Sequence, residues 1–237
     1  MNLEANALFT YDSRGRMLML DQPWDRTVPA PFFFLGRTID GKTILRFKHD
    51  LGDDKIEKLQ YLCVDEIRAV SFDDMPKHKD KYIEIFGKDE FSAGPCFLVP
   101  PSSENKPLYS KTWAPGNSEL VPVLITRQNI NDFSLRGFEW LLDEIDVAEP
   151  CAGLIVEGRL VSQCRSVRIS PTAHEAGLET LPDFRGHGYA AKVTLAWAAA
   201  VRDLGALPFY STSWKNINSQ KVARKLGLYY FGNNFSI

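Results

Sequence analysis

A short glycine-containing stretch, Arg185-Gly186-His187-Gly188-Tyr189-Ala190, has the residue types and spacing of a phosphate-binding turn. Glycine tolerates positive φ and allows a ligand to approach the backbone closely. From Tyr189 onward the spacing of apolar residues is helical, so the turn leads into a helix N-terminus. Such a terminus offers unpaired N–H groups and a partial positive charge, which together attract anions. The stretch therefore predicts a site for a phosphate group.

The spacing of these glycines excludes two common phosphate loops. The sequence contains no G-x-x-x-x-G-K-[ST], and the pattern G-x-G-x-x-G is incomplete because Ala191 stands three residues after Gly188. A lone G-x-G is more often an ordinary strand-to-helix turn. The kind of phosphate therefore depends on the rest of the chain.

A strand before the turn and a helix after it are the elements that must position it. His174 to Leu181 alternates as a strand does, and it ends at Pro182, which has no N–H to donate. The helix is predicted over 189–204 and stops at Gly205. Its core-facing stripe is formed by Val193, Trp197, Val201 and Leu204.

The second half of the chain is predicted in the order β, α, β, β, β, α, β, α, β. The remaining elements are a strand at 121–126, a helix at 135–145, a hairpin of 152–156 and 159–169, a strand at 207–214, a helix that begins at Asn216 or Asn218 and ends at Gly227, and a strand at 229–235.

The first half is less regular at its start. Residues 1–20 give no clear pattern, and Pro23, Pro29 and Pro31 predict little regular structure. The elements expected after them are a hairpin of 32–39 and 42–47 across Asp40-Gly41, helices near 55–66 and 78–86, and a strand at 92–99. Loop-like stretches at 100–107 and 114–117 mark a boundary.

Bulk properties narrow the class of protein. The chain has 237 residues and a net charge of −2, which argues against a dedicated nucleic-acid binder. Its four cysteines are irregularly spaced, so reduced and mostly buried thiols are expected rather than a zinc site or a disulfide scaffold. No apolar run approaches the roughly 18 residues of a membrane span, and no signal peptide is recognised. We expect a cytoplasmic protein without metal, membrane or nucleic-acid partners.

Three stretches together carry a family pattern. They are G-L-I-V-E-G-R-L-V-S-Q-C at 153–164, L-E-T-L-P-D-F-R-G-H-G-Y-A-A at 178–191 and W-K-N-I-N-S-Q-K-V-A-R-K-L-G-L at 214–228. In order, they resemble the hairpin, the motif strand with its pyrophosphate loop, and the late N-x-x-S-x-x-x-A-x-K-L-G-F helix of the GNAT superfamily of acetyl-CoA-dependent N-acetyltransferases. The resemblance covers about half of the chain, from Val121 to its end.

The resemblance implies a fold and a division of the chain. The expected fold is mixed α/β, with a GNAT-like twisted, mostly antiparallel sheet flanked by helices. Residues 111–237 would form the acetyltransferase domain. Residues 1–110 would form an N-terminal α/β extension that packs on this domain and helps to shape the acceptor site.

The resemblance also implies that acetyl-CoA is the cosubstrate. Backbone N–H groups of residues 185–190 would hold its pyrophosphate, and the peptide-like pantetheine arm would run beside the strand. The expected cofactor-binding residues are Leu178, Thr180, Leu181, Arg185, Gly186, His187, Gly188, Tyr189, Ala190, Asn216 and Ser219. Asp183 stands where the family more often has Gln or Arg, so one phosphate contact is expected to be missing.

Acetyl transfer to an ammonium group requires a base, because the acceptor must lose a proton before it attacks the thioester. Glu175 and Glu179 are candidates, since residues four apart share one face of a strand. Glu175 lies closer to the position of the family's base glutamate. Ala223 stands where many relatives have a tyrosine that protonates the thiolate, so Ser219 is the candidate for that role.

The expected activity is N-acetyl transfer to a primary amine by direct attack, with a small-molecule acceptor rather than a protein, in a monomer or homodimer. Two alternatives stay open. The chain is a non-catalytic acyl-CoA sensor or regulatory module, or it is an acyltransferase that uses a longer acyl group or a protein N-terminus.

Overall fold

The computed structural model describes residues 1–101, 108–114 and 120–237. Most of the two loop-like stretches predicted at 100–107 and 114–117 lies outside these residues. The chain forms two compact units, and each is considered by itself. Unit 1 contains Met1–Asp21, Asp25–Leu98 and Tyr210–Ile237, and unit 2 contains Gln22–Trp24 and Val99–Phe209. The division of the chain at residue 110 stays a prediction.

Strands and helices alternate along the chain. The strands are β1 (Phe9–Tyr11), β2 (Met17–Leu20), β3 (Phe33–Thr38), β4 (Thr43–Phe47), β5 (Ser92–Leu98), β6 (Val123–Ile125), β7 (Cys151–Val156), β8 (Arg159–Ile169), β9 (Ala173–Thr180), β10 (Leu207–Ser211) and β11 (Tyr229–Ser236). The helices are α1 (Asn2–Leu8), α2 (Asp53–Cys63), α3 (Lys79–Phe86), α4 (Leu141–Glu144), α5 (Tyr189–Asp203) and α6 (Ile217–Lys225).

Unit 1 is built on antiparallel strands in the order β4-β3-β11-β5, beside a β1–β2 hairpin. The predicted hairpin across Asp40-Gly41 is confirmed as β3–β4, and Gly41 has φ +86°. Successive residues of a strand face opposite sides, so β3 contributes to two cores. Phe33 is buried in a cluster with Leu59 and Tyr82, whereas Phe34 is buried in another with Met17.

Unit 2 has strands in the order β10-β9-β8-β7-β6. Every pair is antiparallel except β9–β10, so the expectation of a mixed α/β fold with a mostly antiparallel sheet is confirmed. Helix α5 covers one face, where Trp197 Nε1 donates to Ser166 Oγ at 3.0 Å. The opposite face carries an apolar cluster that includes Val123, Phe138 and Leu141.

Two predictions for unit 2 were wrong in detail. The helix expected over 135–145 is reduced to α4, because Gly137 adopts φ +94° and the Ser134 N–H donates to Gly158 O at 2.8 Å, which holds the preceding segment in turns. Leu204 was assigned to the buried stripe of α5, but it is 64% exposed because it is the C-cap residue, where the helix ends.

The beginning of the chain was also more regular than expected. Helix α1 and strands β1 and β2 occupy residues 2–20. Their short apolar segments gave no periodic signal over enough residues to be recognised. The remaining predicted strands and helices are present with small shifts at their ends.

Candidate active site

Strand β9 is paired differently in its two halves. Against β8 the antiparallel register runs over residues 174–180. Against β10 the parallel register covers only residues 173–175. In the part of the chain that the structure describes, the β10 side of β9 has no strand register beyond Glu175. Residues 176–180 are therefore called the open edge.

The alternation of the ladder identifies the backbone groups that face away from β8. The Leu181 N–H donates to Val161 O at 2.9 Å, so alternate residues counted back from Leu181 bond to β8. Leu178 and Thr180 lie between them, and their N–H and C=O groups point the other way. Arg185 Nε donates to Thr180 O at 3.1 Å, which agrees with this direction. Leu178 thus presents a peptide N–H and C=O on the open edge.

The open edge leads into the turn that the sequence predicted. A 3₁₀ turn at Pro182–Phe184 is followed by Gly186 at φ +85° and Gly188 at φ +80°. Both are left-handed conformations that favour glycine. Gly188 is the N-cap of α5, and no side chain of the described residues caps this helix end. The first N–H groups of α5, including those of Tyr189 and Ala190, have no intrahelical partner. This end of the helix fits a phosphate.

Two exposed side chains flank the turn. Arg185 and His187 are both exposed. His187 Nδ1 lies 3.0 Å from Arg185 O, and its ring stacks on Tyr189 with ring centroids 5.3 Å apart. His187 therefore stabilises the shape of the turn. The guanidinium of Arg185 has five N–H donors and uses one on Thr180 O, so other donors are available to an anion.

The two candidate glutamates lie on one face of β9 but differ in burial. Glu175 is 5% exposed, whereas Glu179 is exposed. Thr180 Oγ1 lies 2.7 Å from Ser162 Oγ on the other face, which is the face of α5. Glu175 and Glu179 thus project away from α5. The structure brings both carboxylates to one side of the strand, one in the paired half and one on the open edge.

Sequence reasoning missed two polar residues of β8 on this same face. Gln163 stands opposite Glu179 and is fully buried, and its amide has no hydrogen-bond partner among the described residues. Arg165 forms an ion pair with Glu144 at 2.8 Å and lies 4.2 Å from the centroid of the Trp140 ring. The alternation of polar residues in S-Q-C-R-S at 162–166 was the available signal.

A hydrogen-bonded chain fixes the paired half of β9. Ser166 Oγ accepts from Trp197 Nε1 at 3.0 Å and lies 2.8 Å from His174 Nδ1. The three residues come from β8, α5 and β9, so the chain ties these elements together. Burial lowers the pKa of His174, which favours the neutral ring. Glu175 is the next residue of the strand, and its side chain lies on the opposite face.

Asn216 and Ser219, the two other predicted site residues, belong to unit 1. Asn216 Oδ1 accepts from the Ser219 N–H at 3.0 Å and caps α6, so the structure selects Asn216 from the two cap positions that the sequence left open. The Ser219 hydroxyl lies 2.7 Å from the Tyr210 hydroxyl. Tyr210 was not singled out from the sequence, because a tyrosine in a strand is most often a core residue. It is 2% exposed.

Within residues 1–101, 108–114 and 120–237, no group of three His, Cys, Asp or Glu side chains could hold a metal ion. None of the helices in those ranges is long and apolar enough to cross a membrane. All four cysteines are free and buried, so the prediction of buried thiols is confirmed.

The strand, the glycine turn and the start of α5 give this mixed α/β protein the geometry that suits a phosphate. Residues 152–237 match the model of the GNAT acetyltransferase family. This segment is 86 of the 237 residues, and its match supports the resemblance to the GNAT superfamily seen in the sequence. No curated protein matches the chain.

Solved structures give three further similarities. A GCN5-related N-acetyltransferase-like protein from Streptococcus suis is 18% identical over 90% of this chain and 85% of its own, with a TM-score of 0.45. A GNAT-family acetyltransferase from Colwellia psychrerythraea is 15% identical over 76% and 61%, with a TM-score of 0.45. A GNAT-family protein from Novosphingobium aromaticivorans is 16% identical over 62% and 65%, with a TM-score of 0.42. The match thus spans less than two thirds of the last two proteins.

Proposed function

We propose that the chain transfers an acetyl group from acetyl-CoA to the primary amine of a small molecule. One observation carries the proposal: the open edge of β9 runs directly into the glycine turn at the uncapped end of α5. A cosubstrate with a peptide-like arm and a pyrophosphate needs these two features in this order. Both lie within the segment that matches the family.

Binding of the cosubstrate follows from the groups that these features present. The first N–H groups of α5 hold the pyrophosphate, and Arg185 adds a charge-assisted contact. The amides of the pantetheine arm pair with the N–H and C=O of Leu178. Leu181, His187 and Asn216 keep the cofactor-binding roles that the family resemblance implies for them.

The chemistry is a direct displacement. The amine nitrogen attacks the thioester carbonyl, so a C–N bond forms and the C–S bond breaks. The proton of the amine passes to Glu175, directly or through a water molecule, because a carboxylate can act as a general base. The leaving thiolate takes a proton from Ser219, whose hydroxyl is paired with that of Tyr210. Solvent restores the serine proton, and Glu175 returns the proton of the amine to solvent. The products are an amide and CoA, and no covalent enzyme intermediate forms.

A thiol-release assay with acetyl-CoA and a panel of small amines tests the proposal. We expect release that depends on the amine, and a panel of peptides with free N-termini should give less. The same assay with propionyl-CoA and longer acyl-CoAs examines the acyl group. Calorimetric titration with CoA runs in parallel. Tight CoA binding without release for any acceptor would overturn the transfer reaction.

That last outcome defines the second candidate function, an acyl-CoA sensor. One observation favours it: the position of the family's thiolate-protonating tyrosine is Ala223, which is 1% exposed and has no hydroxyl. A Ser219→Ala variant distinguishes the two functions. A loss of release with unchanged CoA affinity supports a catalytic Ser219, whereas a sensor shows no release to lose.

A further inference from the structure

Unit 1 contains a cavity of about 320 Å³ that the proposed acetyl transfer does not use. It lies between the turn that joins β1 to β2 and strand β4. Three arginines line it, Arg14, Arg16 and Arg46, and its described lining includes no acidic residue. The volume is at the lower end of the range for ligand sites, which is roughly 300–1,000 Å³.

Two of the arginines have carboxylate partners outside the lining. Arg14 pairs with Asp12 at 3.2 Å, and the same carboxylate accepts the backbone N–H groups of Arg14 and Arg16. Arg16 lies 3.3 Å from Asp53, whose side chain is 90% exposed. Water screens exposed pairs of this kind, so they neutralise the arginines only in part.

Arg46 differs from the other two. Its guanidinium donates to Leu45 O at 2.9 Å, to Asn2 Oδ1 at 3.1 Å and to Asn6 Oδ1 at 3.4 Å. All three acceptors are neutral. Among the described residues, no carboxylate forms an ion pair with Arg46. Its positive charge is therefore not paired directly with a carboxylate of the described residues, and Arg46 itself lies on a half-buried strand.

Aromatic side chains supply the apolar part of the wall. The Arg46 guanidinium carbon lies 6.0 Å from the centroid of the Tyr11 ring, and Phe47 also lines the cavity. The Tyr11 hydroxyl donates to Ala5 O at 2.7 Å, which fixes the ring. A planar cation beside a fixed aromatic ring suits a ligand that has an anionic head and a flat apolar body.

We propose that this cavity binds a small aromatic or otherwise flat oxyanion, with its head on Arg46 and its body against Tyr11 and Phe47. The head is a phosphate or a carboxylate, because either accepts charge-assisted hydrogen bonds from the guanidinium N–H groups that Leu45, Asn2 and Asn6 leave unused. The proposal does not rest on acetyl transfer, since all of its residues lie outside the segment that matches the family.

Calorimetric titration of the full chain with phenyl phosphate, benzoate, inorganic phosphate and phenol tests the proposal. Phenyl phosphate or benzoate should bind more tightly than inorganic phosphate, and phenol should bind least. The ranking of the two aromatic anions tells a phosphate site from a carboxylate site. Equal binding of phenol, or no binding of either aromatic anion at millimolar concentrations, would overturn the proposal.

Variants locate the binding. Arg46→Gln should weaken the preferred anion about tenfold or more, because a charge-assisted contact is lost. Arg68→Gln is the matched control: it removes the same charge from an exposed residue of unit 1 outside the lining and should leave the affinity unchanged. Equal losses in both variants would show a general charge effect and reject the site.

A measurement on the unaltered chain covers the case in which Arg46→Gln does not fold. In NMR spectra, saturating phenyl phosphate or benzoate should shift the Arg46 Nε–H signal and the Tyr11 ring signals, and it should leave the Arg68 Nε–H signal in place. Shifts elsewhere without shifts at Arg46 and Tyr11 would reject the cavity as the binding site.

Discussion

The two halves of β9 have the same neighbour on one side and different surroundings on the other. The first half, residues 173–175, lies between β8 and β10, and it holds the buried pair His174 and Glu175. In the described part of the chain, the second half, the open edge, pairs with β8 alone and carries the exposed Glu179. The difference teaches how one strand can serve two purposes. Full pairing fixes a side chain, and incomplete pairing leaves backbone groups for a ligand.

The largest expected effect concerns which half supplies the base. Glu175→Gln should lower kcat by about 10²- to 10⁴-fold, since a general base contributes that much and glutamine has the same shape without the proton affinity. Glu179→Gln should lower kcat by less than about tenfold. The kcat of each variant is measured by thiol release between pH 6 and 9.

Unfolding curves control for stability in these two variants. A larger loss of kcat for Glu179→Gln than for Glu175→Gln would move the base to the open edge. An unchanged rate for both variants at every pH would remove both carboxylates from the mechanism.

The next largest effect is expected for a substitution in the glycine turn that follows the open edge. Gly186→Ala should weaken CoA binding about tenfold, because a left-handed conformation costs an alanine roughly 1–2 kcal/mol and any relaxation turns the N–H groups away from the pyrophosphate. The φ of Gly186 is +85°, and a Cβ there would meet nothing within 4 Å, so backbone conformation is the property that changes.

Gly205→Ala is the matched control for this turn. Gly205 follows the opposite end of α5 at φ +80° and also has room for a Cβ. Both variants should lose similar stability in thermal unfolding, but only Gly186→Ala should lose CoA affinity in calorimetric titration. Equal CoA affinity in the two variants would contradict the assignment of the turn.

Sequence alone was sufficient for the strand, the turn and the helix at this site. Glycines at 186 and 188, a proline at 182 and a helical apolar stripe are local signals, and each acts through the backbone of its own segment. The cap of α6 by Asn216 was also local, because donor and acceptor are three residues apart. The helix predicted at 135–145 failed for a local reason as well, the left-handed Gly137.

The pairing of β9 with its neighbours could not be predicted from the sequence. An alternating pattern predicts a strand, but it does not tell how many residues a second neighbour covers. The isolation of the Gln163 amide and the contact of Ser219 with Tyr210 depend on where other strands and helices pack. The sequence shows two glutamates of the same chemistry, whereas the structure distinguishes them because Glu175 is buried.

A backbone substitution on the open edge should have a smaller effect and tests which way the peptide groups point. Replacing the peptide N–H of Leu178 by an ester oxygen should weaken CoA binding about fivefold, because one hydrogen bond is lost. The same ester at Glu179 is the control, since its N–H bonds to β8; it should lower stability by about 1 kcal/mol and leave CoA affinity unchanged. If the ester at Glu179 weakened CoA binding and the ester at Leu178 lowered stability, the N–H groups that face β8 would have been assigned one residue off.

The smallest effect concerns the paired half, where a titrating group should change stability and leave cosubstrate binding alone. Burial lowers the pKa of His174 below its ordinary value of 6.5. The unfolded chain therefore binds a proton more readily than the folded one, so stability is complete above about pH 6.5 and falls as the pH drops through the folded pKa.

Replacement of the ring should remove this dependence. His174→Gln keeps a group that can form a hydrogen bond with Ser166. Between pH 7 and 5 it should reduce the slope of the unfolding free energy against pH by up to about 1.4 kcal/mol per pH unit, the limit for one proton. Denaturant unfolding at several pH values measures the slope. Parallel curves for the wild type and the variant would contradict a buried neutral ring. A shift in CoA affinity with unchanged slopes would mean that the paired half takes part in binding, and the division of β9 into a fixed half and a ligand-binding half would fail.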